Sequence, residues 1–155
     1  MREADRIYNI LTRDFGLVQA MALGVRNEPS KLRGHIEPFS LVLVSLVRGR
    51  DFWRLTSAQS LQNIPATLAI ARPLALIEKL VQGEASHPEL FDALEKKLDS
   101  AMIYHSVEEK GIFEVNFVAQ ILFHLGYLKE SDLSLSKNSL IKVINEGIQA
   151  SSLAG

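Results

Sequence analysis

A basic loop between two strand-like runs carries the first residues in this sequence that could do chemistry. The segment "GVRNEPSKLRGHIEPFS", residues 24–40, contains Arg26, Lys31 and Arg33 among prolines and glycines. Lysine and arginine neutralise phosphates, and glycine permits a close approach of the backbone to a ligand. We predict that these three side chains contact the phosphates of a nucleic acid. The alternative is a solvated loop whose charges only maintain solubility.

A second basic group lies at the next turn of the chain, beside an aromatic residue. Arg48 and Arg50 belong to the turn "RGRD", and Trp53 follows it. Bases stack on aromatic rings while cations follow the phosphates, so Trp53, which lies beside Arg50 and Arg54, is a candidate stacking residue, with core or hairpin packing as the alternative. For four other aromatic residues in this part of the chain, core or hairpin packing is the favoured interpretation. They are Tyr8, Phe15, Phe39 and Phe52.

The charge of the chain is unevenly distributed. Residues 1–54 carry nine Lys/Arg against six Asp/Glu, and residues 55–155 carry eight against twelve, which gives +3 and -4 within a net charge of -1. A small positive excess in the first part is compatible with a polyanionic partner. It suggests that the two parts have different tasks.

The composition excludes several classes of protein. The chain has 155 residues, 47% of them hydrophobic, which is enough to build a core. No apolar run reaches the length of a membrane span, and "MREADRIYNI" is not laid out as a secretory signal, so we expect a cytoplasmic protein with no membrane partner.

No residue pattern typical of catalysis or of metal binding occurs in the sequence. With no cysteine there is no disulfide, thiolate zinc site or cysteine nucleophile. The histidines are scattered, and no nucleophile elbow, Walker loop or dinucleotide-binding motif is found. We therefore expect no enzyme, no cofactor and no bound metal.

Residues 1–63 show the pattern of short antiparallel strands. Predicted strands cover residues 6–13, 17–23, 39–47 and 52–62. Turns containing Gly16 and Gly49 separate the members of each pair, as in β-hairpins. The spacing predicts a small barrel or sandwich rather than a parallel sheet, which would need crossover helices.

The apolar period becomes helical at about residue 64. We predict a first helix with Pro65 in its opening turn, and we expect Gly83 to stop it. A second helix should begin at Ser86, whose hydroxyl could accept from the Glu89 amide while the Glu89 side chain reaches back, a capping box.

A third predicted helix, from about residue 108 to 125, is apolar around much of its girth, which indicates a central place in a bundle. Gly126 is its predicted C-cap, and a last helix follows Ser136. The predicted fold class is therefore α+β, with a β-barrel-like domain at 1–63 and a helical domain at 64–155.

Several segments, in this order and spacing, resemble the N-terminal OB-fold domain of the RecO family of bacterial DNA repair proteins: "EADRI", "TRDFG", "GVR", "SKLRG" and "EPFS". Further on, "LIEKLVQGEASHPELFDALEKKL" and "FEVNFVAQILFHLGYL" resemble the helices that follow it. The resemblance covers roughly residues 3–130.

The resemblance implies a recombination mediator that is not an enzyme. Such proteins bind single- and double-stranded DNA and the C-terminal tail of single-strand-binding protein. They work with RecR, often alongside RecF, to help load RecA, and can anneal complementary strands. The basic loop of the family maps onto Gly24, Arg26, Ser30, Lys31, Arg33 and Gly34, with Arg48 and Arg50 at the neighbouring hairpin.

Two departures from the family pattern accompany the resemblance. Members usually begin with one more strand before "EAD", so we expect an OB barrel whose first strand would lie upstream of this sequence. Many members also carry a four-cysteine zinc module after "LGY", whereas here "LGYLKESDLSLSKNSL" runs into the final helix.

A second functional class remains open from the residues alone. The OB-like part could be a protein-docking surface and the helical part an oligomerisation domain. In the RecO interpretation, the helical part would dock an acidic-hydrophobic tail against an apolar pocket with a cation at its rim. The available cations are Arg72, Lys79, Lys96, Lys97 and Lys110.

Overall fold

The structure, a computed structural model, describes residues 5–23, 36–64, 67–100 and 106–154. It forms four strands, namely β1 (Arg6–Thr12), β2 (Gly16–Ala22), β3 (Ser40–Val47) and β4 (Trp53–Asn63), and then four α-helices, namely α1 (Leu68–Leu80), α2 (Pro88–Ser100), α3 (Val107–His124) and α4 (Lys137–Ala154). A short 3₁₀ helix, Glu130–Ser134, precedes α4. The predicted α+β fold class is confirmed. No described helix is long and apolar enough to cross a membrane.

The chain divides into two compact units. The sheet unit comprises Met1–Pro65 together with the short segment Gly83–Ser86, and the helical unit comprises Ala66–Gln82 and His87–Gly155. Four of the seven residues between α1 and α2 therefore pack with the strands, although they lie far from them in sequence.

The sheet combines the two predicted hairpins. Strands β1 and β2 pair antiparallel, as do β3 and β4, and the strand order is β1-β2-β4-β3. The hairpins meet through a short parallel pairing of β2 with β4, at Ala20–Trp53 and Met21–Arg54. A parallel sheet was not expected, and the sheet is mainly antiparallel. The short parallel pairing is possible because the long connection that contains β3 provides the crossover in place of a helix.

The core of the sheet unit lies on the inward face of β2. Along this strand the even-numbered residues are buried, as the two-residue period of a half-buried strand requires. Ala20 and Ala22 cluster with Ile36 and Leu55, and Trp53 packs partly against this cluster.

Phe39 departs from its predicted place in the third strand. It lies in a turn one residue before β3, half-buried, with a left-handed φ of 61°. This conformation is unfavourable for a bulky residue. The Ser40 hydroxyl donates to the Glu37 carbonyl across the same turn.

The first two helices begin later than predicted. Helix α1 starts at Leu68 with Thr67 as its N-cap, not at Pro65. Helix α2 starts at Pro88, and in its first turn the Phe91 amide donates a hydrogen bond to the His87 carbonyl. Proline favours the first helical position, and Ser86 is thereby left one residue before the N-cap.

The capping box predicted at Ser86 is therefore wrong. The Ser86 hydroxyl instead donates to the carbonyl of Arg13 in the sheet unit, at 3.2 Å. A reciprocal capping box does occur at α3, where Ser106 accepts from the Glu109 amide and the Glu109 carboxylate accepts from the Ser106 amide.

Helix α3 is central to the helical unit, as predicted. It packs against α1, α2 and α4, and Phe117, Ile121 and Leu122 are fully buried. It ends at His124, and Gly126 follows the C-cap Leu125 with a φ of 87°. The Gly126 amide donates to the Phe123 carbonyl and the Tyr127 amide to the Leu122 carbonyl. These two bonds form a Schellman motif, so the predicted glycine cap is confirmed.

Candidate nucleic-acid interface

The side chains of Arg48, Trp53 and Glu84 form one hydrogen-bonded group in the sheet unit. Arg48 Nη1 lies 2.6 Å from Glu84 Oε2, and Trp53 Nε1 donates to Glu84 Oε1 at 2.8 Å. Each carboxylate oxygen of Glu84 thus has its own donor. We call these residues, with Phe15, the Glu84 cluster.

The aromatic part of the Glu84 cluster is partly exposed to solvent. The Arg48 guanidinium carbon lies 4.8 Å from the centroid of the Trp53 ring, within cation–π range. Phe15 approaches the same ring with centroids 5.3 Å apart and a tilt of 51°, and it is 51% exposed. A cation and two aromatic rings, one of them well exposed, are the elements of a single-strand binding surface.

Backbone contacts hold the segment that carries Glu84. The Leu17 amide donates to the Gly83 carbonyl at 3.2 Å. Gly16 has a φ of 72°, and a Cβ at this position would lie 2.3 Å from the Ala85 carbonyl oxygen. Only glycine therefore permits this close packing of the segment on the turn of the first hairpin.

Electrostatic contacts favour the charged form of Glu84. The hydrogen bond from Arg48 lowers the pKa of the Glu84 carboxyl below its ordinary value, and the bond from Trp53 lowers it further. The Arg48 and Glu84 side chains remain 65% and 40% exposed. The pair is thus a solvated ion pair, which salt and competing anions can reach.

The predicted site residues fall into two sets. Arg48, Arg50 and Trp53 lie together at the turn between β3 and β4, where Arg50 is exposed. Arg26, Lys31 and Arg33, with most of the opening loop, lie outside the described residues. The DNA contacts of both sets remain predictions.

The other aromatic candidates do not form a further exposed group. Tyr8 packs against the core of the sheet unit, as favoured from the sequence. Phe39 and Phe52 are half-buried. Phe15 joins Trp53, which its sequence position in the first hairpin did not indicate.

Sequence reasoning missed Glu84 altogether. It lies between two predicted helices, 31 positions from Trp53 and 36 from Arg48. No local pattern marks such a contact, since it depends on the packing of the Gly83–Ser86 segment against both hairpins.

In the helical unit two of the five candidate cations have described partners. Arg72 Nε lies 2.9 Å from Glu114 Oε1, and Lys97 Nζ lies 5.1 Å from the centroid of the Phe113 ring. Burial lowers the pKa of the Lys97 amino group. Lys97 is thus a half-buried cation beside an aromatic side chain.

Comparisons with known proteins agree with the resemblance. The family "Recombination protein O N terminal" matches residues 1–64. The chain is 35% identical over 139 residues to the DNA repair protein RecO of Synechococcus sp. (strain JA-2-3B'a(2-13)), covering 79% of this chain and 47% of that protein. It is 32% identical over 136 residues to the DNA repair protein RecO of Rubrobacter xylanophilus, covering 84% of this chain and 54% of that protein.

The chain spans about half the length of these curated relatives. Within that span, the matched domain contains the four strands and also Phe15, Arg48 and Trp53. The resemblance recognised from the sequence is confirmed: residues 1–64 match the N-terminal domain of the RecO family, and the chain is similar to DNA repair proteins of that name.

Proposed function

We propose that the sheet unit binds DNA and that the chain acts in DNA repair and recombination as a RecO-type mediator without catalytic activity. The observation that carries this proposal is the Arg48 guanidinium stacked on Trp53, beside the exposed Phe15, in a domain of the RecO N-terminal family. The relatives are named DNA repair protein RecO, which supports the biological role.

The contacts we propose divide between charge and stacking. Arg48 and Arg50 neutralise phosphates, and Trp53 with Phe15 offers a surface for a base. Phosphate contacts position a strand without reading its sequence, and stacking tolerates every base. We therefore propose binding with little sequence preference, to single strands and, through the phosphates, to duplexes.

We further propose that the basic loop contacts DNA. Arg26, Lys31 and Arg33 would each neutralise one phosphate of the strand. On a single strand each lost phosphate contact reduces the slope of log K against log salt by about 0.7. The triple change of these residues to alanine should flatten the slope by about 2, almost equally for all base compositions.

The family membership also supports proposals about protein partners. We propose that the chain cooperates with RecR and, through it or alongside RecF, assists the loading of RecA or the annealing of strands. We propose Lys97 as the cation that receives the acidic tail of single-strand-binding protein, because Phe113 supplies an apolar neighbour. Lys97→Met should weaken binding of a tail peptide to the full chain, whereas Lys96→Met, an exposed neighbour in α2, should not.

An oligonucleotide titration tests the proposed function. Fluorescence anisotropy of a labelled strand of about 25 nucleotides should show saturable binding that weakens steeply with salt. Unlabelled duplex should compete. Absence of binding at low salt would reject the DNA-binding proposal in favour of the protein-docking alternative.

A further inference from the structure

The two groups proposed to receive DNA are already occupied by an acidic side chain of the same chain. Glu84 presents one oxygen to the Arg48 guanidinium and the other to the Trp53 indole N–H. A phosphate offers the same chemistry, an anion with several oxygen acceptors held by charge-assisted hydrogen bonds. DNA that uses Arg48 must therefore displace the Glu84 carboxylate.

The carboxylate can leave without unfolding its segment. Two hydrogen bonds anchor the Gly83–Ser86 segment. The Leu17 amide donates to the Gly83 carbonyl, and the Ser86 hydroxyl donates to the Arg13 carbonyl. Neither contact involves the Glu84 side chain. Rotation of a 40% exposed side chain into water would free Arg48 and leave these anchors in place.

We propose that Glu84 is an internal competitor for DNA phosphate at the Arg48–Trp53 site and lowers the affinity of the free protein for nucleic acid. This inference rests on the proposed function, since it assigns a regulatory residue to the same site. Binding then requires the state in which Arg48 is free, and the apparent dissociation constant rises by the inverse of that state's population. Exposed ion pairs are weak, so the effect should be about two- to five-fold.

The competition should also make the site prefer an extended DNA strand to a small anion. An isolated phosphate anion must displace Glu84 with one charged contact. A DNA strand brings further phosphates for Arg50 and a base for the aromatic rings, which together offset the displaced ion pair. Glu84 thus discriminates against small anions in favour of an extended strand.

Glu84→Gln provides the test, because it removes the charge and keeps the size and one acceptor oxygen. Asp51→Asn is the matched control, since it removes the same charge from the turn that carries Arg50. Binding of a labelled strand of about 25 thymidines is measured for the full chain and both variants. Trp53 is the only tryptophan, so its emission reports directly on the site.

We expect Glu84→Gln to bind about two- to five-fold more tightly than Asp51→Asn, and this gain to disappear when both are placed in an Arg48→Gln background. If the wild type binds the strand but Glu84→Gln binds it no more tightly than Asp51→Asn, the competitor role is overturned and DNA binding stands. A gain that persists without Arg48 would also overturn it. Absence of binding by every variant would reject the proposed function and this inference together.

Discussion

The indole N–H of Trp53 donates to the Glu84 carboxylate at 2.8 Å across 31 positions of sequence. The same carboxylate holds Arg48, and Arg48 covers the Trp53 ring. Trp53 is therefore at once a core-packing residue of the sheet unit and a member of a charged surface cluster.

Replacing Trp53 should separate stacking from charge. Base–aromatic stacking is worth about 1 to 3 kcal/mol per base, so Trp53→Ala should weaken single-strand binding by roughly five- to a hundred-fold. The slope of log K against log salt should change little, because stacking releases few counterions. Titrations at several salt concentrations measure both quantities. Trp53→Phe retains a ring for the core and should lose less affinity, whereas a strongly reduced slope in folded Trp53→Ala would contradict a stacking role.

The emission of Trp53 should respond to acid through Glu84. The pKa of Glu84 is lowered in the fold, so the stabilising contact is fully present above its ordinary value of 4.5 and is lost as the pH falls through the lower folded value. The Arg48 guanidinium and the Trp53 indole face this carboxylate. Emission should be constant at neutral pH and change only below 4.5. A fluorescence titration of wild type and Glu84→Gln checks this, and an identical acid response in both would contradict it.

Gly16 and Gly83 allow the cost of a close contact to be separated from that of the backbone conformation. Both have positive φ, 72° and 64°, but only Gly16 faces another backbone atom within 4 Å. Gly83→Ala should cost about 1 to 2 kcal/mol for the left-handed conformation alone. Gly16→Ala should cost clearly more, because Ala85 must also move. Urea unfolding gives both values, and equal costs would show that the Gly83–Ser86 segment does not pack on Gly16.

Two serines with the same spacing to a glutamate should behave differently. Ser106→Ala removes the N-cap of α3 and should lower the free energy of unfolding by about 1 kcal/mol. Ser86→Ala removes only an exposed hydrogen bond to Arg13 and should change it by about 0.5 kcal/mol or less. Thermal or urea unfolding of the two variants is the measurement. A larger loss at Ser86 would restore it as the cap of α2.

Local patterns predicted much of the fold because they act over a few residues. The helical stripe through Phe113, Phe117 and Ile121 requires one face to be buried, and Gly126 was recognisable as a C-cap. Gly16 likewise marked the first hairpin turn through its backbone freedom. Each of these signals is complete within one element and its ends.

Contacts between distant segments could not be predicted from the sequence. The pairing of β2 with β4 depends on how the two hairpins meet, and nothing in either strand specifies it. Ser86 matched a capping pattern, but the helix starts at Pro88 and the Ser86 hydroxyl donates to the distant carbonyl of Arg13. Glu84 was missed for the same reason, since its role depends on where its segment packs.

We propose that the turn between β3 and β4 binds DNA phosphates. The most direct test of this proposal compares the salt dependence of single-strand binding for wild type and for Arg48→Gln/Arg50→Gln, with circular dichroism to verify that both are folded. The loss of two phosphate contacts should flatten the slope of log K against log salt by about 1.4. An unchanged slope in the folded double variant would contradict the account.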